Sequence, residues 1–148
     1  MSRYRFGEKS MHHLYSAHPV LIMLAKRVLS YGVMDFSVIE GHRSTDRQQQ
    51  LFKEGKTHID GFRKLGKHNQ MPSLAIDVLP YPQSVNGVKN WDDRHRFCVL
   101  AGMFFAAAAE LDIANHGFSL RWGGDWDGDG NNQDSNFDDL PHFELVSL

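Results

Sequence analysis

The strongest constraint on the fold is one carboxylate in an apolar run. Leu74-Ala75-Ile76-Asp77-Val78-Leu79 reads as a β-strand closed by Pro80 and Pro82, and only Asp77 interrupts it. An ionised carboxylate inside a packed strand costs several kcal/mol, on the rough scale for buried charge, unless a cation or hydrogen-bond donors receive it. The fold must therefore bring a partner to Asp77. Two kinds of partner are available, an arginine such as Arg43 or a metal ion.

The segments around this strand set the fold class. A helix opens near Ser16 with Pro19 in its first turn, continues through Val20, Leu21, Leu24 and Val28, and stops near Gly32. Phe36 to Ile39 form a short β-prone run ending at Gly41, and Thr45 with Gln48 has the form of a capping box for a helix reaching Gly55. Residues 56–73 are polar and aperiodic and read as an ordered loop. From Asp92 or Asp93, the spacing of Phe97, Leu100, Ala101, Phe104, Phe105, Ala108 and Leu111 predicts the core helix. Leu120–Trp122 and His142–Val146 complete the strands. Elements that do not alternate regularly predict α+β, with a small antiparallel or mixed sheet packed against about three main helices.

With 148 residues and 41% hydrophobic content, the chain supports one core, so a single domain over 1–148 with no separate wall-binding module is expected. A net charge of -2 excludes the basic footprint of a nucleic-acid binder, and any affinity for an anionic polymer has to come from a local patch. The basic N-terminus is followed by no apolar run of signal-peptide or membrane-span length. Cys98 is alone in an apolar segment, which excludes a disulfide framework and predicts a buried structural thiol.

Nine histidines are the compositional anomaly. His68 lies in the loop feeding the Asp77 strand. His142 begins the last strand, where alternation puts Glu144 on its face. His68, Asp77 and His142 form a three-ligand set that leaves zinc's fourth position open, which is the form of a catalytic site. Asp139, three residues before His142, is placed to act as general base toward a water whose pKa the metal lowers to about 7. Arg43 is the candidate for facing the developing oxyanion, and Gln48 is placed to orient Arg43 or to bind substrate. Separately, Asp125, Asp127, Asp129 and Asn131 place oxygen ligands at alternate positions, with Gly130 sixth and Asp134 following, like the opening of an EF-hand calcium loop. Asn136 stands where that loop's customary glutamate would be; bound calcium there would order the segment carrying Asp139 and His142 and act as a switch.

Together, Lys67-His68, Pro72-Ser73-Leu74-Ala75-Ile76-Asp77, Trp122-Gly123-Gly124-Asp125-Trp126 and Asp139-Leu140-Pro141-His142-Phe143-Glu144-Leu145 resemble the phage L-alanyl-D-glutamate endopeptidase endolysins. That zinc peptidase family also contains D-alanyl-D-alanine carboxypeptidases. Phe6, Ser10, Leu14, His18-Pro19 and Gly41-His42-Arg43 extend the resemblance to nearly the whole chain. It implies an α+β fold, zinc on His68, Asp77 and His142, Asp139 as base and Arg43 steadying substrate or transition state. Eight residues separate His68 from Asp77 where the family pattern has six; if the longer loop displaces His68, His58 is the substitute first ligand. Some calcium-responsive phage members carry a similar acidic loop. The implied role is a monomeric phage lysis enzyme cutting the L-Ala-D-Glu bond of peptidoglycan stems. It would accumulate in the host cytoplasm and reach the wall after membrane permeabilisation. The rival readings are a D-Ala-D-Ala carboxypeptidase and a non-catalytic metal-binding wall-recognition module.

Overall fold

The computed structural model describes residues 3–57, 59–61, 66–128 and 138–148. Four strands form one antiparallel sheet in the order β1 (Asp35–Glu40), β2 (Ala75–Tyr81), β6 (Asp139–Ser147) and β5 (Phe118–Gly123). A two-residue hairpin, β3 (Ser84–Val85) and β4 (Val88–Lys89), leaves the end of β2. Four helices accompany the sheet: α1 (Glu8–Tyr15), α2 (Pro19–Ser30), α3 (Thr45–Lys53) and α4 (Arg94–Glu110). The expected α+β class is present; of the antiparallel or mixed sheet foreseen the fold takes the antiparallel form, with four helices where about three were expected.

Alternation along the central strands decides what the sheet does. Ile76 and Val78 of β2, with Phe143 and Leu145 of β6, enter the apolar core built with α2 and α4. Asp77, His142 and Glu144 occupy the intervening positions and so point to the opposite face. One face of the sheet is thus the core and the other is the floor of the site. Phe104 of α4 anchors the core face: its ring stacks on Phe143 with centroids 4.3 Å apart and meets Phe36 edge-on at 5.8 Å.

Two irregularities in the ladder lie beside the site. In β1 the pairing steps from Val38–Val78 to Glu40–Asp77, so two residues oppose one and Glu40 is re-aimed next to Asp77. Between β5 and β6 it steps from Trp122–Phe143 to Gly123–Asp139, which leaves 140–142 bulged on the β5 side. Gly123 permits this: a Cβ there would lie 2.0 Å from the Asp139 carbonyl oxygen. No helix among the described residues is long and apolar enough to cross a membrane.

Several local expectations shift. The residue that caps α3 is Ser44, whose hydroxyl accepts from the Arg47 amide, rather than Thr45; Thr45 is the first helical residue. β2 runs on through Pro80, which pairs with Phe36, and β6 starts at Asp139, ahead of His142. Cys98 is half-buried at the edge of the core rather than fully buried, because α4 turns it away from the Phe97–Leu100–Phe104 stripe. Helix α1 was not expected, its apolar period being confined to Met11, Leu14 and Tyr15; its Leu14 and Ser10 are buried, and the Ser10 hydroxyl accepts from the Val38 amide.

Phe104 is fully buried and touches two other rings, so Phe104→Ala should remove about 3–5 kcal/mol of stability through lost burial and a residual cavity. Urea denaturation of wild type and variant checks this.

Candidate active site

Each element delivers its residue by a local device. Asp77 and His142 are direct cross-strand partners, which places their side chains side by side on the open face. His68 arrives on a 3-10 turn, Lys67–Asn69, that is tied down on three sides. The Arg43 amide donates to the His68 carbonyl at 2.7 Å, Asn69 Nδ2 to the Arg43 carbonyl at 3.0 Å, and Lys67 Nζ to the Leu145 carbonyl at 3.0 Å. Buried Ser73 closes the loop between His68 and β2. Its amide donates to the Ser16 carbonyl and its carbonyl accepts from the His18 amide. Across this eight-residue interval His68 still reaches Asp77. His58 lies outside the described residues.

The three side chains meet almost as an equilateral triangle. His68 Nε2 is 3.2 Å from Asp77 Oδ1, His142 Nδ1 is 3.3 Å from the same oxygen, and the two nitrogens are 3.3 Å apart. Among the described residues this is the group of three His, Cys, Asp or Glu side chains whose donor atoms converge.

The outer nitrogens fix the tautomers. His68 Nδ1 lies 2.8 Å from the Gly41 carbonyl, which can only accept, so that nitrogen carries the proton. His142 Nε2 lies 2.8 Å from Glu144 Oε1. Burial opposes ionisation of Glu144, but its bonds to His142 and Arg121 hold its carboxyl below the usual range, so it is an acceptor as well. Both inner nitrogens therefore present lone pairs toward Asp77. Three lone-pair donors this close repel one another unless a cation or an added proton sits with them.

That arrangement fits a metal ion. Tetrahedral ligands at about 2.0–2.1 Å from zinc are about 3.3–3.4 Å from each other, which the observed triangle matches. Without metal, a proton takes over. Burial works against a charged His142, yet the hydrogen bonds to Asp77 and Glu144 push its pKa up to about 10. Burial likewise works against Asp77 as an anion, and the His68 and His142 charges and hydrogen bonds outweigh it, holding its carboxyl well below the usual range.

Around the triangle stand the other groups singled out in the sequence. Arg43 lies with its Nη2 3.6 Å from Asp77 Oδ2, so the arginine foreseen as a partner for Asp77 is in place on one oxygen, while the two imidazoles face the other. Arg43 is held by Glu40 at 2.9 Å and by Gln48 Oε1 at 2.9 Å. Gln48 is buried and donates in turn to the Ile59 carbonyl at 2.7 Å, a geometry that orients Arg43. Asp139 Oδ2 is 3.9 Å from His142 Nδ1. Burial, and then the negative charge of Asp77, push its carboxyl up, which makes it a stronger proton acceptor. Sequence reasoning had put Glu144 on the right face but gave it no task, and it missed Glu40; only the bulge in β1 reveals Glu40.

The triangle forms the floor of a cleft of about 920 Å³ that also includes Arg43, Asp139, Trp91 and Trp126. Of the acidic-loop residues, Asp125 and Asp127 lie on the turn after β5, while Asp129, Asn131 and Asp134 lie outside the described residues.

Fold and site together define an α+β protein with an open cleft in which His68, Asp77 and His142 could hold a metal ion. More particularly, the chain belongs to the phage L-alanyl-D-glutamate peptidase family, whose model matches residues 1–146. It is 30% identical over 146 residues to the L-alanyl-D-glutamate peptidase of Escherichia phage T5, covering 97% of this chain and 98% of that protein. It is 27% identical over 137 residues to the Bacillus subtilis peptidoglycan L-alanyl-D-glutamate endopeptidase CwlK, covering 87% and 73%. Among solved structures, the Serratia marcescens L-Ala D-Glu endopeptidase ChiX superposes with a TM-score of 0.68 at 27% identity, covering 97% of this chain and 92% of that one.

Two outcomes are expected. Since His142 holds a proton up to about 10 in the metal-free protein, binding of a divalent ion at neutral pH should release about one proton, read by calorimetry in buffers of different ionisation enthalpy. Glu144→Gln should weaken metal affinity by about 10–100-fold by loosening the imidazole it orients, measured by competition with a chelator.

Proposed function

We propose that this chain is a zinc-dependent phage endolysin that hydrolyses the L-Ala-D-Glu amide of peptidoglycan stem peptides. The observation that carries the reading is the 3.2–3.3 Å triangle of one carboxylate oxygen and two imidazole nitrogens at the floor of a substrate-sized cleft, in a member of this peptidase family. His68, Asp77 and His142 would hold the ion. When bound, zinc supplies Lewis-acid chemistry at an open coordination position.

The chain's own groups divide the remaining work. Asp139, with its raised pKa, takes a proton from the attacking water and returns it to the departing glutamate nitrogen. Arg43 has five N–H donors. Glu40 and Gln48 engage two, a third faces Asp77, and the guanidinium is left fixed with donors to spare for the developing oxyanion. Glu144 and the Gly41 carbonyl hold the two imidazoles in register.

The cut at L-Ala-D-Glu is favoured over a D-Ala-D-Ala carboxypeptidase because the family and each of the relatives carry the former name. Action on the wall follows from that substrate, with access after the membrane is permeabilised. Calcium control through Asp125, Asp127, Asp129, Asn131 and Asp134 rests on the sequence pattern alone.

Asp139→Asn should lower kcat by at least about 10²-fold while zinc binding survives, since Asp139 moves a proton and is not among the three ligands. Muropeptide mapping of digested walls by mass spectrometry, with metal analysis of the same variant, tests this. Release of free D-alanine by the wild type, or undiminished turnover in the variant, would overturn the assignment.

A further inference from the structure

The chain is slightly acidic overall, yet its cleft is not. Five basic side chains line it, Arg43, Arg47, Lys56, Lys67 and Arg121, against four acidic ones, Glu40, Asp77, Asp139 and Glu144. A divalent ion on the triangle would raise that imbalance by two further positive charges. The cleft is therefore the local patch in which an anion would be received.

Most of these cations are already committed. Arg43 is held by Glu40 and Gln48, Arg121 pairs with Glu144 at 2.8 Å, and Lys67 caps the Leu145 carbonyl. Two remain available at the cleft wall. Among the described residues no ion pair engages Arg47, exposed on the first turn of α3, and the ion pair of Lys56, on the turn after α3, is an exposed contact with Glu54 at 3.5 Å. Arg47 directly precedes Gln48, the residue that orients Arg43, so α3 ties its position to that of the oxyanion-facing group.

The substrate chemistry supplies the matching anion. A glutamate acylated on nitrogen by L-alanine has two carboxyl groups, and chain continuation uses only one. The other is a free carboxylate within a residue's length of the scissile amide.

We propose that Arg47, assisted by Lys56, forms a subsite that binds this second carboxylate and sets the enzyme's preference for glutamate over its carboxamide. The inference rests on the L-Ala-D-Glu reading given above. A guanidinium that keeps its donors unengaged can form a two-point, charge-assisted contact with a carboxylate, which a neutral carboxamide of the same shape cannot match.

The test uses the full-length, zinc-loaded protein and two soluble peptidoglycan fragments that differ only in this group, one with the free carboxylate and one with the carboxamide. Wild type should show a kcat/KM about tenfold higher for the carboxylate. Arg47→Gln should bring the ratio to within about twofold of unity, and Arg47→Gln with Lys56→Gln should abolish it. The ratio is taken on one preparation, so partial misfolding of a variant cancels. A wild-type ratio near one, or a ratio unchanged in both variants, would overturn the subsite while leaving the cleavage assignment intact. Failure to cut either fragment between alanine and glutamate would instead overturn the function on which the subsite depends.

Discussion

Everything at the site is organised around the charge on Asp77. A carboxylate in the second strand of a four-stranded sheet, flanked by Ile76 and Val78 in the core, survives only because both of its oxygens are met. Oδ1 faces two imidazoles, and Oδ2 faces the Arg43 guanidinium. Those contacts hold the group ionised against its burial. The same contacts produce a cluster of lone pairs that needs a cation, so one electrostatic constraint stabilises the strand and creates the metal-binding geometry.

The surrounding structure reads as support for that geometry at one remove. The imidazoles are turned by the Gly41 carbonyl and by Glu144, and Glu144 is in turn fixed by Arg121 from the neighbouring strand. Gly41 tolerates this role because its Cα approaches the His13 carbonyl so closely that a Cβ would lie 2.0 Å from it. The two bulges do complementary work: the one in β1 aims Glu40 at Arg43, and the one in β6 brings Asp139 beside His142. Regular pairing at either place would carry these residues along the strand and away from the triangle. Strands β2 and β6 thus hold Asp77, His142 and Asp139, while the turn carrying His68 and the segment carrying Arg43 are fixed by hydrogen bonds to each other.

Much was legible in the chain itself. The lone aspartate among apolar residues, the period-two placement of His142 with Glu144, and the helical spacing of Phe97, Leu100, Ala101 and Phe104 each follow from local periodicity, and each appears in the fold. Burial of a charge demands a partner whatever the topology, so the need for a cation near Asp77 was written in one dimension. What stayed hidden was which partners arrive and in what register. Glu40 reaches Arg43 only through a bulge, Ser73 pins the His68 loop only because it bridges to Ser16 and His18, and Cys98 is turned outward by the rotation of α4. Those outcomes depend on contacts between residues tens of positions apart. Sequence periodicity reports the face a side chain takes on its own element, while the distance to another element is decided only when the sheet closes and the core packs.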